Sequence, residues 1–549
     1  MTSCLIAIAA LVTVALPGAE PSAPRNDSIR QQDMKADLFF LAGDGFRGRL
    51  TATPENDLAS QFIASRFQRM GLKRIGTDGT YFQPFRLATA TVGPSNRLEL
   101  LGDYGTLRFH SGQDFFPLDF SASADVKGFL AFAGHGISAP ELGHDDYRDL
   151  NVRGMLVLVL DHEPGENDPK SPFDGVVMSE AATPLRKALV AQEKGAIGIL
   201  FVADVNNHPE PQNFEALARS AWPEKPPRIE RYTLQDWVER VRIPAAQVSV
   251  ATARTLLGGV KSSLEELARA SEKPSRSSAF HIDGIVAALT TDVNRHVVPD
   301  RNVVAGFEGS DPALKDEWVV ISCHHDHNGA DGDRIFNGAD DNGSGTVGML
   351  EIAEAYALAG EAGHRPKRSI LFASFNSEER GLLGSWAFVE RPLVPLDRIV
   401  AVLNMDMVGR DEEVPEGGGS RFRGLPVQSA ESNRNAVNLL GHSRSASLTQ
   451  TIERANGCFG LTLKKVLDNN ISNLLRRSDH WPFLQKGVPA VFFHTGLHPD
   501  YHTPQDRPDK VNYAKMERIV RLVHQASWDL ARQPDRPRLK PKSTEPRRG

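Results

Sequence analysis

The 549-residue sequence has only three cysteines, and this number excludes two kinds of scaffold. Small disulfide-rich domains need a much higher density of cysteine, and a zinc site built from cysteines alone needs four. Cys4 lies in the N-terminal apolar segment, so Cys323 and Cys458 are the one pair that could be bridged in an exported protein. The sequence leaves open whether they are bridged.

The chain also lacks a sustained basic run outside its C-terminal tail, and its formal net charge is −6. Nucleic acids and anionic membranes attract clusters of Lys and Arg, so we expect neither as a partner and expect a small or peptidic substrate instead. The apolar run at residues 5–16 is too short to span a bilayer but is typical of a signal peptide within residues 1–19. We therefore predict export to the periplasm or the medium, with no membrane span in the mature chain. The sequence indicates no oligomeric state.

A chain of this length is expected to form more than one domain, and its residue patterns divide it into stretches. Residues 34–120 combine a helical pattern with strand-like segments. Residues 121–275 contain the apolar runs 155–160 and 197–202, which are typical of strands buried on both faces. A polar segment at residues 269–278 is predicted to be a linker back to the main body.

The third stretch, residues 280–532, alternates strand and helix patterns. This alternation predicts an α/β fold with a mostly parallel central sheet flanked by helices. Its strands are predicted at residues 318–322, 369–375, 399–405 and 489–493. Residues 534–549 are rich in Pro and basic residues and are predicted to be disordered.

Metal-capable side chains follow each of these four strands. The carboxyl ends of parallel strands lie along one edge of a sheet, so these groups are expected to converge on one crevice. Imidazoles mixed with carboxylates suit a divalent ion such as zinc, and a carboxylate can bridge two ions. The groups are His324 and Asp326, Glu378 and Glu379, Asp406, and His502, with Asp340 and Asp341 ahead of a predicted helix at residues 344–359.

Taken singly, each of these segments has an ordinary structural interpretation. Glu378 and Glu379 could be a solvated helix start, since negative charge is favourable there. Residues 340–343 could be a turn with a helix N-cap. Four other histidines compete for the ligand positions, namely His325, His327, His494 and His498.

Five segments, in this order and spacing, resemble the co-catalytic zinc aminopeptidase family that also contains glutamate carboxypeptidases. They are SCHHDH at residues 322–327, NGADDNGSG at 337–345, SEERGLLGS at 377–385, NMDMVG at 404–409 and PDYHT at 499–503. The resemblance implies two zinc ions per chain. It implies that His324 and Asp406 bind one zinc, that Glu379 and His502 bind the other, and that Asp341 bridges them.

The same resemblance implies roles beside the ligands. Asp326 would orient the His324 imidazole, and Glu378 would be the general base. The peptide bond between residues 341 and 342 would be cis. Tyr501 and Arg477 stand where relatives contact the substrate, and His480 is either near the substrate pocket or a core residue.

Residues 147–154 and 191–196 resemble a protease-associated domain, which would make residues 121–275 an insertion. The opening segment at residues 45–49 resembles the start of the same catalytic domain. The resemblance therefore implies a metallo-exopeptidase that hydrolyses N-terminal residues from peptides. The alternatives are a carboxypeptidase of the same fold, a single-zinc glutaminyl cyclase and a metal-free, receptor-like binding protein.

Overall fold

The computed structural model describes residues 22–102, 105–209, 213–273 and 278–540, and the predicted signal peptide at residues 1–19 lies outside them. Two large sheets organise the chain, one of ten strands and one of eight. The ten-stranded first sheet consists of Lys73–Arg74, Phe82–Val92, Thr233–Leu234, Val293–Phe307, Trp318–His324, Ser369–Phe375, Ile399–Met405, Ala436–Leu440, Thr462–Lys464 and Ala490–His494.

The eight-stranded second sheet lies in the middle of the chain. Its strands are Arg97–Gly102, Gly105–Phe109, Phe115–Pro117, Ala124–Phe132, Leu156–Leu160, Gly198–Val202, Ala245–Val248 and Phe280–Thr291. Two small hairpins pair Ser138–Ala139 with His144–Asp145, and Ala330–Asp331 with Arg334–Ile335.

The α-helices cover the faces of the sheets. They are Gln31–Leu41, Pro54–Arg69, Pro184–Glu193, Phe214–Ala221, Gln235–Arg240, Val250–Leu256, Leu264–Ser271, Gly345–Glu361, Leu383–Glu390, Ala446–Asn456, His480–Gln485 and Tyr513–Arg532. Among the described residues, no helix is long and apolar enough to cross a membrane.

Four parallel strands form the centre of the first sheet. Their order is Ser369–Phe375, Trp318–His324, Ile399–Met405 and Ala490–His494. All are buried almost throughout, which explains why they appear in the sequence as continuous apolar runs. Antiparallel strands flank this centre on both sides, so the sheet is mixed while its site-bearing core is parallel.

Alternate side chains of the central strands enter two separate hydrophobic layers. Val319 and Ile321 pack on the side of helices Gly345–Glu361 and Tyr513–Arg532, whereas Val320 packs on the side of Leu383–Glu390. This alternation is the ordinary consequence of a strand's two-residue period. It fixes the strands rigidly, and their carboxyl ends are thereby held along one edge.

The second sheet extends beyond the stretch that the sequence predicted for it. Strands Arg97–Gly102 and Phe280–Thr291 belong to it, so it spans residues 97–291, whereas the prediction was 121–275. Two of the crossings between the sheets lie side by side, where Gly93 N donates to Asp292 O at 2.8 Å. Strand patterns alone do not tell which of two sheets a strand joins. The predicted linker at 269–278 also overlaps helix Leu264–Ser271.

The prediction of disorder from residue 534 was wrong for residues 534–540, which lie against the first sheet's domain. Lys540 N donates to Arg444 O at 2.8 Å, and Arg536 Nη2 donates to Asp397 O at 2.7 Å. Leu539 packs against a buried cluster. A backbone hydrogen bond, the Arg536 side chain and one apolar side chain hold the segment, although its composition is mostly polar. The remainder of the predicted tail lies outside the described residues.

Cys323 is buried, Cys458 is exposed, and both are free.

Candidate metal centre

The carboxyl edge of the four central strands brings together the side chains that the sequence singled out. His324 ends one strand, Asp406 directly follows another, and Glu378 comes three residues after a third. Asp406 and Glu378 line a cavity of about 310 Å³, together with Asp341 and His502, and His324 lies 3.3 Å from Asp406. The convergence expected from the order of the motifs is therefore present.

One set of ligand atoms comes from His324, Asp341 and Asp406, which lie within 4.8 Å of one another and are buried. His324 Nε2 is 3.5 Å from Asp341 Oδ1 and 3.3 Å from Asp406 Oδ1. Such separations are long for a hydrogen bond but suit two ligands on one ion, because zinc binds oxygen and nitrogen at about 2 Å.

A second set comes from His327, Asp341, Glu379 and His502. His502 Nε2 lies 2.9 Å from Asp341 Oδ2 and 3.2 Å from Glu379 Oε2. His327 Nδ1 lies 2.7 Å from Glu379 Oε1 and 3.7 Å from Asp341 Oδ2. Two imidazoles and two carboxylates thus face one point.

Asp341 belongs to both sets, and its two oxygens face different ones. Oδ1 faces His324 and Oδ2 faces His502. The backbone N–H of Asp341 donates to the buried Asp506 at 3.1 Å, which holds the residue in place. The peptide bond between Asp341 and Asn342 is cis, as the resemblance implied.

Asp326 holds the turn that carries both glutamates. Its oxygens accept hydrogen bonds from the backbone N–H groups of Glu378 at 3.0 Å and Glu379 at 3.2 Å. Asp326 Oδ1 is also 3.6 Å from His324 Nδ1, on the side of the ring away from the ligand set. One carboxylate therefore faces the imidazole and fixes the positions of two neighbouring acids.

Ser478 was not singled out from the sequence, yet it supports the first set. Its Oγ donates to Asp406 Oδ2 at 2.7 Å and accepts from Asn404 Nδ2 at 2.7 Å. One oxygen of Asp406 is thereby occupied, which leaves the other facing His324. A lone serine carries no sequence signal for this role, because the contact joins parts of the chain that are far apart.

The buried ligand atoms lack the hydrogen bonds that buried polar atoms normally make. Among the described residues, none makes a hydrogen bond with either ring nitrogen of His324 or with Asp406 Oδ1. Orphaned atoms that converge from imidazoles and carboxylates fit a divalent metal ion.

Burial and neighbouring charges shift the pKa values of side chains in the centre. Burial lowers the pKa of His502, but the carboxylates of Glu379 and Asp341 outweigh it and raise the value to about 10. Burial raises the pKa of Glu378 well above its usual range, against the opposing field of His324. The site as a whole favours positive charge at the ligand atoms, and a metal ion would supply that charge.

The competing histidines make other contacts. His325 places Nδ1 2.9 Å from Ser374 Oγ and Nε2 2.9 Å from Ser60 Oγ. His494 Nδ1 is 3.1 Å from Asp406 O, and His498 Nε2 is 3.3 Å from Asp340 Oδ2. His327 is the exception, since it joins the second set. The sequence had placed it only among the competitors.

The candidate substrate residues divide into two groups. Arg477 and Tyr501 line the cavity, and the Tyr501 ring stacks on His502 with centroids 3.8 Å apart. His480 does not line this cavity. It is fully buried behind Phe492, and burial lowers its pKa to about 3.

The fold and the site define a class of protein, namely an α/β protein with two adjoining sets of metal-ligating side chains at the carboxyl edge of its sheet. Residues 302–527 match the profile of a family described as Peptidase family M28. The matched part of the chain contains every side chain of both sets.

Known relatives cover parts of the chain. It is 26% identical over 416 residues to a probable glutamate carboxypeptidase of Arabidopsis thaliana, covering 71% of this chain and 51% of that protein. It is 27% identical over 226 residues to a probable leucine aminopeptidase of Arthroderma otae, covering 40% and 56%. The chain therefore spans about half the length of these curated relatives. Among solved structures, it aligns with an aminopeptidase from Aneurinibacillus sp. strain AM-1 at 17% identity and a TM-score of 0.48, covering 95% and 97%.

Proposed function

We propose that this protein is a two-zinc exopeptidase that removes residues from the amino terminus of peptides. The observation that carries the proposal is the position of Asp341, whose two oxygens face two different sets of ligand atoms. Two-metal hydrolytic sites hold their ions about 3.5 to 4 Å apart, a distance that one carboxylate can bridge. The match of residues 302–527 to the profile of a peptidase family supports the reaction class.

The residues divide between the two ions. His324, Asp341 and Asp406 would hold the first zinc, and Asp341, Glu379 and His502 the second. His327 is within reach of the second zinc as an additional ligand, because its Nδ1 lies 2.7 Å from Glu379 Oε1. Three or four protein ligands per ion are the numbers usual for catalytic and structural zinc.

Glu378 is the group available for proton transfer. It belongs to neither ligand set, yet its Oε2 lies 3.7 Å from His324 Nε2 and its side chain borders the cavity. When bound, the zinc pair supplies a water of lowered pKa and an electrophile for the scissile carbonyl. The Glu378 carboxylate takes the proton of the attacking water and returns it to the departing amine. Tyr501 and Arg477 line the cavity where the substrate backbone would lie.

A carboxypeptidase acting on acidic C-terminal residues is the second candidate. Two arginines, Arg476 and Arg477, line the cavity and could bind a carboxylate. Arg476, however, is already paired with Glu180 at 3.0 Å and donates to Met178 O at 2.8 Å. Only Arg477, which is exposed, remains for this role, and this favours the aminopeptidase.

The two remaining alternatives require a reduced ligand set. A single-zinc glutaminyl cyclase or a metal-free binding protein has no need of two complete sets or of a carboxylate in the position of Glu378. The presence of all these groups in one cavity supports a hydrolase.

The organisation of the chain completes the proposal. The second sheet would be a protease-associated domain that supplies no ligand to the zinc pair, since every side chain of both sets lies outside residues 97–291. Residues 1–19 would direct export. Peptides would be the partners, and nucleic acid would not.

The test is a cleavage screen with peptides whose termini are free or blocked, with zinc measured on the same samples. Peptides with a free amino terminus should be cut and their N-acetylated equivalents should not. Chelation should abolish hydrolysis, and zinc should restore it. Cleavage of acetylated peptides only from the carboxyl end would transfer the assignment to the carboxypeptidase, and full activity in metal-free protein would refute the metal mechanism.

A further inference from the structure

A second group of metal-capable side chains lies in the second sheet, far in sequence from the candidate centre. Four parallel strands form the middle of this sheet, among them Ala124–Phe132, Leu156–Leu160 and Gly198–Val202. His135 follows the first of these strands by three residues, and Asp204 follows the last by two. The carboxyl edge of a parallel sheet is where ligands bind, so the second sheet repeats the topology that positions the candidate centre in the first.

The side chain of His135 makes no hydrogen bond with the described residues. Its side chain is fully buried, and among the described residues neither ring nitrogen has a hydrogen bond. Its nearest acidic atom in an ion pair is Asp204 Oδ2, 3.7 Å from Nε2. That distance is too long for a hydrogen bond, but it suits two ligands that each lie about 2 Å from one zinc ion.

Glu272 completes the group from the end of helix Leu264–Ser271. Single ligand atoms of His135, Asp204 and Glu272 all lie within 4.8 Å of one another. The amide of Asn207 donates to Asp204 Oδ2 at 2.9 Å and to Glu272 Oε1 at 2.5 Å, so it holds the two carboxylates side by side. Two close carboxylates beside a buried imidazole without a hydrogen bond form a ligand set that suits a divalent cation.

We propose that His135, Asp204 and Glu272 form a second metal-binding site, for a divalent transition-metal ion of the zinc type, at the carboxyl edge of the second sheet. One imidazole and two carboxylates are a ligand set that zinc accepts, and water would complete the coordination. The site is independent of the proposed peptidase activity. It ties together loops that follow two strands and the end of a helix.

The neighbouring trio of His162, Glu166 and His208 does not need a metal ion to satisfy its ring nitrogens. His162 Nδ1 is hydrogen-bonded to Glu166 Oε2 at 2.7 Å, and His208 Nε2 lies 2.6 Å from Glu166 Oε1. The two imidazoles share one carboxylate, and both rings are about two-fifths exposed. These side chains pair with one another without an ion, which makes the trio the natural comparison for the buried site.

The site connects to the cavity of the first sheet through one loop. Gly165 N donates to Glu272 at 3.0 Å, and the same loop continues to Glu180, which pairs with Arg476 at the cavity edge. The loop links the two sites, but neither Glu180 nor Arg476 belongs to a ligand set.

The experiment measures zinc per chain by mass spectrometry after the full chain is stripped and dialysed against zinc. His135→Gln should bind one zinc fewer than the wild-type chain, whereas His208→Ala, in the trio, and His110→Ala, an exposed histidine in the same domain, should match the wild type. Peptide hydrolysis by His135→Gln, measured on the same samples, should stay within about twofold, because the two sites share no ligand. This readout separates loss at the second site from loss at the candidate centre.

Because His135 is buried, Glu272→Gln serves as a second variant at a partly exposed position, with folding checked by circular dichroism. It should also lose one zinc per chain. The proposal is overturned if folded His135→Gln and folded Glu272→Gln both keep the wild-type zinc content. It is also overturned if His208→Ala loses one zinc per chain while His135→Gln and Glu272→Gln keep it, since the metal would then belong to the trio.

Discussion

Glu378 and Glu379 are adjacent and chemically identical, yet the geometry gives them different tasks. Glu379 approaches His327 at 2.7 Å and His502 at 3.2 Å, within the second ligand set. Glu378 is outside both sets and borders the cavity. Asp326 holds both backbone N–H groups, so a change in either side chain leaves the turn in place.

Glu378→Gln keeps the size of the side chain and one oxygen but removes the proton acceptor. Zinc content should stay at the wild-type level, while the turnover rate falls by at least about 10²-fold, the lower end for a lost general base. That loss corresponds to about 2.7 kcal/mol of transition-state stabilisation. Glu379→Ala removes a ligand instead. Its zinc affinity at one site should fall by more than the roughly 10- to 100-fold that loss of a supporting residue costs.

The assay is zinc per chain by mass spectrometry together with turnover of a peptide that has a free amino terminus. Excess zinc should partly restore Glu379→Ala and should leave Glu378→Gln unchanged. If Glu378→Gln loses zinc while Glu379→Ala keeps both ions and loses only rate, the two roles are reversed and the reading of the geometry is wrong.

Three further substitutions test other parts of the structure. Ser478→Ala removes the hydrogen bond to Asp406 and should weaken zinc binding at the first set by about 10- to 100-fold in a zinc titration. His327→Ala should weaken zinc binding at the second set if its imidazole is a ligand beside Glu379, and unchanged affinity would show that it is not. Burial raises the pKa of Glu351 from 4.5 to about 8, so the folded chain holds a proton that the unfolded chain releases, and stability falls as the pH rises through that interval. Glu351→Gln should therefore raise the free energy of unfolding by an amount that is absent below pH 4.5 and grows by at most about 1.4 kcal/mol per pH unit up to pH 8, seen as a rising melting temperature relative to the wild type.

Matched controls exist for each of these changes. Ser310→Ala, His364→Ala and Glu361→Gln alter the same residue types at exposed positions. Zinc affinity should not change in the first two. The stability gain of Glu361→Gln should show no growth with pH, and an equal growth in both glutamate variants would contradict the burial argument.

The sequence by itself determined the parts of this protein that depend on local pattern. Continuous apolar runs predicted the strands at 318–322, 369–375, 399–405 and 489–493, and each lies within two residues of the observed bounds. The residue types that follow those strands predicted one crevice at the edge of the sheet, because parallel strands end along one edge, and the family resemblance divided the candidate ligands between two ions. Local pattern determines these features, because the burial of a strand and the residues at its end both depend on a few consecutive positions in the sequence.

Only the tertiary structure decided the features that join distant parts of the chain. The membership of His327 in the second set and the bond from Ser478 to Asp406 depend on distances that sequence spacing does not encode. The extent of the second sheet and the docking of residues 534–540 were decided by pairing partners elsewhere in the chain. A strand or a polar tail presents the same local pattern whichever surface it meets, so its partner is set by the packing of the whole fold.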